Sequence, residues 1–429
     1  MGKKIEGVRP TQTKTKHQIL SAYLKNWMGI IFWGVKKAPV TLRQHPHFVY
    51  VDAFAYTGKY TKGDIDDPNS KPVYGSPIIG IQQLDQFAQY ARDEAFPITR
   101  NVILLEKDIN TYKKLLATLD EVGVGDRVRE TTDFHNLRDG EIAVANVDAT
   151  RMGPALAQYT NQDYTWSFYL LDPYGGSGIP YDFVNQIVSG PRHDVMINFI
   201  YLAFLRELAL VLKPDEKLSA REWKKIEIWA RVFGEKRWTE VYTNYQYQVD
   251  KEYGPGLDKN KVTHLMVTKY ADVLRDMDRT ITVKTIDLQF SEKERTMLYL
   301  FLTTHDPTGA LVMNKVLHEA QLLELSIRAQ VSLAKRVRAG QPTLFDYEDV
   351  RKESVTPKLP RPKVAEVEKT LIDMFAGKRV SLKQIYHEMT DTDFFPSEVK
   401  KAIRSLRKKN RAEFSGNKLS IRTRIIFHK

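Results

Sequence analysis

Apolar positions along this chain recur with two periods. Over 14–28, Ile19, Leu20, Tyr23, Leu24 and Trp27 fall at helical spacing, which predicts an amphipathic opening helix. Residues 48–54 form a short run rich in β-formers, ending in a turn that contains Gly58, and predict a buried strand. Ser76 and Pro77 then read as the N-cap and first residue of a helix through Leu84 and Phe87. Further strands are predicted at 101–106, 141–146, 166–171 and 194–201, and Tyr112, Leu115, Leu116 and Leu119 mark a helix after the first of these.

Strands that alternate with helices and are apolar on both faces predict a parallel sheet covered on two sides. The alternation stops at 204–277, which reads as a helical insertion. Two strands follow, at 281–290 and 297–303, joined by so short a connection that they must pair antiparallel. Five parallel strands plus a terminal antiparallel pair is the α/β pattern of class I methyltransferase folds. A helix over 309–337 closes this domain, which is expected to span 1–337. Residues 338–363 carry Pro342, Pro357, Pro360 and Pro362 with little periodicity, and predict a linker.

The last segment, 364–429, predicts three amphipathic helices and a hairpin around Gly416-Asn417, an arrangement that resembles winged helix-turn-helix domains. Its third helix turns Val399, Ile403 and Leu406 inward and Lys400, Lys401, Arg404, Arg407 and Lys408 outward. Charge adds to this picture. Of the net +12 on 429 residues, positions 361–429 hold 17 Lys and Arg against 8 Asp and Glu. A basic terminal module with a one-sided stripe points to a polyanion, DNA or another nucleic acid, met by that helix. A solvated basic face or a protein-docking unit is the plainer alternative.

Zero cysteines exclude a disulfide scaffold, thiolate metal sites and a cysteine nucleophile in this chain. No apolar run approaches a membrane span and no secretory signal opens the chain, so a cytoplasmic protein without a membrane partner is expected.

In doubly wound sheets, ligands bind beyond the carboxyl ends of the strands. Asp52, Glu106, Asp148 and Asp172 close successive strands or lie just past them. An acidic residue ending the second strand suits a ribose diol, so Glu106 is a candidate for that role. The loop Ala55 to Gly58 would approach the ligand, and Asp148 would lie near an adenine edge. With no G-x-G-x-x-G and no Walker lysine motif, S-adenosylmethionine is the expected cofactor rather than a dinucleotide. Asp172-Pro173-Tyr174-Gly175 is similar to the strand-four motif by which amino-methyltransferases hold a target amine and stack a flipped base. Here the aromatic comes one place earlier. Asp172 is thus a candidate amine acceptor, with a metal ligand or a turn former as alternatives. His305 and His17 invite a catalytic reading, but a structural role is favoured. His45 and His47 have no third ligand nearby, and no metal site is expected.

These segments also resemble the three-Cys-motif partner (TcmP) family. Matching stretches are Thr15-Lys16 to Trp27, Val51-Asp52-Ala53-Phe54-Ala55, Gly75-Ser76-Pro77, Leu171-Asp172-Pro173-Tyr174-Gly175, Phe233-Gly234 to Trp238, and Thr303-Thr304-His305 to Met313. The resemblance implies a methyltransferase-like Rossmann domain and a radical-SAM-like three-Cys partner. The family's first loop resembles F-A-G-x-G, and Tyr56 stands at the first of those glycines. A tyrosine there would obstruct a cofactor or stack on its ring.

Within the linker, Gln341-Pro342-Thr343-Leu344-Phe345 is similar to the pentapeptides that hold the bacterial sliding clamp. The leading expectation is a nucleic-acid-directed methyltransferase-like protein in DNA modification or repair. A non-catalytic DNA-binding scaffold comes second, and a metal-dependent nuclease using Asp52, Glu106 and Asp172 third.

Overall fold

The computed structural model describes residues 7–39, 44–64, 71–173, 178–199, 210, 215–235, 238, 259–289, 296–338, 360–416 and 418–428. It divides into two units, 1–305 and 306–429.

In the first unit, helix α1 (Thr11–Lys36) precedes strand β1 (His47–Asp52). Helix α2 (Ser76–Asp93) leads to β2 (Thr99–Leu105), and α3 (Ile109–Glu121) to β3 (Val128–Glu130) and β4 (Ile142–Ala145). Then come α4 (Gly153–Thr160), β5 (Thr165–Leu171), α5 (Tyr181–Val188) and β6 (His193–Phe199). Helices α6 (Ala220–Phe233) and α7 (Lys259–Arg275) precede β7 (Thr282–Gln289) and β8 (Thr296–Thr304). The sheet order is β3-β4-β2-β1-β5-β6-β8-β7. All pairings from β3 to β6 are parallel, and β8 runs antiparallel to β6 and to β7. This is a mostly parallel mixed sheet of methyltransferase-like order, with one parallel strand more than expected. The extra strand, β3, lies at the edge with two of its three residues exposed, so it carries no apolar run to announce it.

Period two sorts β1 onto two faces. Val49, Val51 and Ala53 join a core with Tyr169, Phe183, Trp229 and Tyr270. Phe48 and Tyr50 face the other way, toward Trp27, Phe87 and Phe168, and Tyr50 stacks on Phe168 at 6.2 Å. Each such ring contributes on the order of 1.5–3 kcal/mol by burial. Gly80 of α2 lets the helix close on this face: a Cβ there would lie 2.2 Å from the Tyr50 ring.

Ser76 does not cap α2. Gly75 is the N-cap residue and makes no side-chain cap bond. The Ser76 hydroxyl is bonded to Asp52 instead, so its capping capacity is spent on the sheet.

The second unit opens with α8 (Pro307–Arg338). The sequence reading gave this helix to the first domain, yet Leu311 is buried in the core of the second unit and Asn314 donates to the carbonyls of Thr392 and Phe394. Helices α9 (Val364–Phe375), α10 (Leu382–Glu388) and α11 (Pro396–Lys408) pack with strands β9 (Arg379–Ser381), β10 (Ala412–Phe414) and β11 (Arg424–Phe427). The strands form an antiparallel sheet in the order β9-β11-β10. The sequence reading anticipated β10 and β11 but not β9, which is only three residues long. Ser381 ends β9 and opens α10 through a capping box with Gln384. The clamp-like segment 341–345 and most of the expected linker lie outside the described residues. Among the described residues no helix is long and apolar enough to cross a membrane.

Candidate active site

Alternation carries polar side chains to one face at the carboxyl ends of β1, β5 and β6. Asp52 ends β1, on the face of Tyr50. Asp172 follows β5 in phase with Phe168. On β6, Asn198 lies near the carboxyl end, while Asp194, in phase with it, lies near the amino end, level with Phe168. Helix α1 covers this row. Its Tyr23 hydroxyl donates to Asp194 Oδ2 at 2.6 Å, and Lys16 Nζ donates to Asp172 Oδ2. Asn198 Nδ2 donates to the other oxygen, Asp172 Oδ1. Lys16, Leu20, Tyr23 and Trp27 therefore form one stripe, apolar except where it meets the strand ends.

The segment leading into α1 is tied down nearby. Arg9 pairs with Asp64 at 2.5 Å, Lys14 pairs with Asp64 at 3.1 Å, and Arg9 N donates to the Gly63 carbonyl. His17 is buried, its ring 6.0 Å from that of Tyr60. Among the described residues, neither His17 Nδ1 nor Asn198 Oδ1 has a hydrogen-bond partner.

Burial alone would push the Asp172 carboxyl up. Lys16, Asn198 and His17 outweigh it, and the group is held below the usual carboxylate range. Asp52 goes the other way. Burial raises it to about 7, with the Asp172 charge adding to the effect against hydrogen bonds from Ser76, Phe54 and Tyr50. Burial and the charges of Lys16 and Arg9 lower His17 to about 3, so its ring is neutral at physiological pH. Tyr50 and Tyr60 are both raised, chiefly by burial.

Glu106 sits beyond β2. Its Oε2 accepts from Tyr56 N at 3.1 Å and its Oε1 from Asp108 N at 2.8 Å. A carboxylate has about four acceptor positions, and the described residues fill two of them. The residue is half-buried, and such a group fits a ribose diol. Tyr56 has a left-handed backbone, at φ 52°, with its side chain exposed. Ala55 is buried, and its N–H donates to the Leu105 carbonyl. Gly58 has φ 69°, and a Cβ there would press on Leu115 of α3 at 3.1 Å. It shapes the turn and the helix packing.

The four acidic residues thus separate into different settings. Asp52 is wholly buried and receives Phe54 N, so it braces the loop after β1 from inside. Asp148 is turned back on its own chain, where Oδ1 accepts both the N–H and the hydroxyl of Thr150. Among the described residues, Asp172 is held by side chains from two other elements, Lys16 of α1 and Asn198 of β6. Pro173 is buried and lines a cavity of about 10 Å³ with Asn198, Phe199 and Trp229. That is room for about one water molecule. Tyr174 lies outside the described residues.

His305 bonds through both ring nitrogens, to Thr280 and to the Val188 carbonyl, as a structural histidine would. His45 and His47 are held by the Pro97 carbonyl, Thr99 and Tyr159. Among the described residues, no group of three or more His, Cys, Asp or Glu is disposed to hold a metal ion. On α11, Lys401, Arg404, Arg407 and Lys408 are exposed and Lys400 is half-buried. Lys401 lies 3.7 Å from Glu398. Arg407 donates to the Gly416 carbonyl and lies over Phe414 at 4.5 Å, which ties the helix to the β10 side of the small sheet.

Lys16 and Asn198 are the site residues that the sequence reading missed. The signal for Lys16 was present: it stands four residues before Leu20, in phase with the buried stripe, where a lysine needs a buried partner. Asn198 had a weaker signal, a polar position inside the apolar stretch 195–199.

No protein-family model matches this sequence, and no curated protein is similar enough to count as a relative. Some solved structures are similar at low level. A protein of Legionella pneumophila from the DUF519 family shares 14% identity, covering 71% of this chain and 90% of its own, at a TM-score of 0.36. Trm1 from Pyrococcus horikoshii, solved in complex with S-adenosyl-L-methionine, shares 12%, with 96% and 90% covered and a TM-score of 0.37. A loganic acid methyltransferase with SAH shares 8%, with 78% and 92% covered and a TM-score of 0.23. Likeness this distant assigns no chemistry to the chain, and the three-Cys-motif partner family is not among what was found.

Proposed function

We propose that this chain is a nucleic-acid-directed methyltransferase that uses S-adenosylmethionine and acts on an amino group. The observation that carries the reading is Asp172, a strand-end carboxylate that already holds an amine, Lys16 Nζ. Strand order and Glu106 support the cofactor half of the reading. Glu106 would hold the ribose hydroxyls with its remaining acceptor positions, beside the exposed Tyr56. When bound, the cofactor supplies a methyl group on a positively charged sulfur. The work of the chain's own residues is then to place the acceptor. Asp172 stays ionised at neutral pH, accepts an N–H from the target amine and fixes the direction of its lone pair. Asn198 keeps the carboxylate in place, and the buried surroundings exclude water.

The three helices and small sheet of the second unit support a winged-helix reading, with the basic face of α11 meeting the phosphate backbone. A role in DNA modification or repair, a radical-SAM-like three-Cys partner and clamp attachment through Gln341 to Phe345 belong to the same proposal.

The test is transfer of labelled methyl from S-adenosylmethionine to DNA or RNA. Asp172→Ala is expected to abolish it, and Asp172→Asn, which still accepts from an amine, to retain a measurable part. Full activity in the Ala variant would remove Asp172 from the chemistry. One observation favours a second reading, a non-catalytic nucleic-acid scaffold: Lys16 already fills the place on Asp172 that a substrate amine would take.

A further inference from the structure

We propose that the segment from Gly7 to Lys16 is a pseudosubstrate strap, which seats Lys16 Nζ on Asp172 as an internal stand-in for the substrate amine and leaves when that amine enters. The inference rests on the amino-group reading above.

Three observations carry it. Lys16 donates to Asp172 from a stripe that is otherwise apolar, so a charged side chain has been brought to this point at a cost in burial. Lys16 also fills the site incompletely. Asn198 Oδ1 and His17 Nδ1 are both buried more than nine-tenths and both lack a partner among the described residues, although a buried polar group left unpaired is unfavourable. An occupant with further hydrogen-bonding groups, such as a base edge bearing an exocyclic amine, would satisfy them. Third, the first part of the strap is tied by polar contacts: Arg9 and Lys14 both rest on Asp64, and Gly7 and Arg9 exchange backbone bonds with Lys62 and Gly63. These pairs are part-buried and the Arg9–Asp64 pair is bidentate, so their release must be offset by the contacts of the incoming ligand.

The full chain can be tested by lysine labelling with an acetylating N-hydroxysuccinimide ester, read at Lys16 by mass spectrometry. The probes are single-stranded oligonucleotides. Oligo-dA and oligo-dC carry exocyclic amines, and oligo-dT carries none. Labelling of Lys16 is expected to be slow in the free protein, to rise at least fivefold with oligo-dA or oligo-dC, and to stay unchanged with oligo-dT. In parallel, Lys16→Met should bind oligo-dA or oligo-dC about tenfold more tightly, with oligo-dT affinity unaltered. No rise with any oligonucleotide, or an equal rise with oligo-dT, would overturn the proposal. Neither readout needs S-adenosylmethionine, so failure of the cofactor half of the functional reading would show separately, in cofactor binding.

Discussion

Asp52 and His17 are buried close to the same strand ends, yet they act on stability in opposite directions. Asp52 rises from 3.8 to about 7 on folding. Across that window the native state keeps a proton that the unfolded chain has released, so its contribution falls as pH rises. His17 drops from 6.5 to about 3, and the unfolded chain takes the proton first as pH falls. Its contribution therefore grows as pH rises through that window. Melting temperature measured from pH 4 to pH 8 should separate the two. Asp52→Asn is expected to remove a loss of stability toward pH 7, and His17→Gln to remove a loss toward pH 4. Profiles parallel to the parent's in both variants would contradict these assignments. At this scale the sequence showed which carboxylates end strands but not how they are used. Asp52, Asp148 and Asp172 look alike in one dimension. The loop N–H that Asp52 takes, the Thr150 bonds of Asp148 and the Lys16 amine on Asp172 are decided by neighbours far along the chain or by local turn geometry.

Elements were legible in proportion to their apolar period. β1, β2, β5 and β6 are buried along nearly their whole length, and their runs stand out in the sequence. β3 and β9 are three residues each and partly exposed, so they exist through pairing with a neighbour rather than through composition. Packing of α2 on β1 depends on Gly80, whose missing Cβ leaves space for the Tyr50 ring. Gly80→Ala should force that ring to move and destabilise the fold by about 1–3 kcal/mol, the usual range for overpacking. Because Tyr50 also bonds Asp52 and the Ser76 carbonyl, the shift should reach the loop after β1. Denaturant unfolding gives the energy, and a midpoint equal to the parent's would mean that the helix accommodates the methyl group freely.

Over the whole molecule, the basic charge and the proposed cofactor site fall on separate stretches of sequence. The basic excess lies in the last sixth of the chain and the strand-end acids in the first half. If α11 meets phosphates, binding must release counterions and weaken with salt. The triple variant Lys401→Glu, Arg404→Glu, Lys408→Glu should lower DNA affinity and flatten the salt dependence, by roughly one in slope for each phosphate that the helix no longer neutralises. An unaltered slope would assign the polyanion to another surface. The division at His305 was not legible because α8 is amphipathic in its own right, and nothing in its period says which core receives Leu311. The central claim concerns the first unit, that its strand ends form an adenosyl site closed on one side by Glu106. Calorimetric titration of the full chain with S-adenosylmethionine tests it most directly. One site per chain is expected, weakened in Glu106→Ala by roughly 1.5–3 kcal/mol, the range for hydrogen bonds to a charged group. No binding by the parent, or equal affinity in the variant, would contradict it.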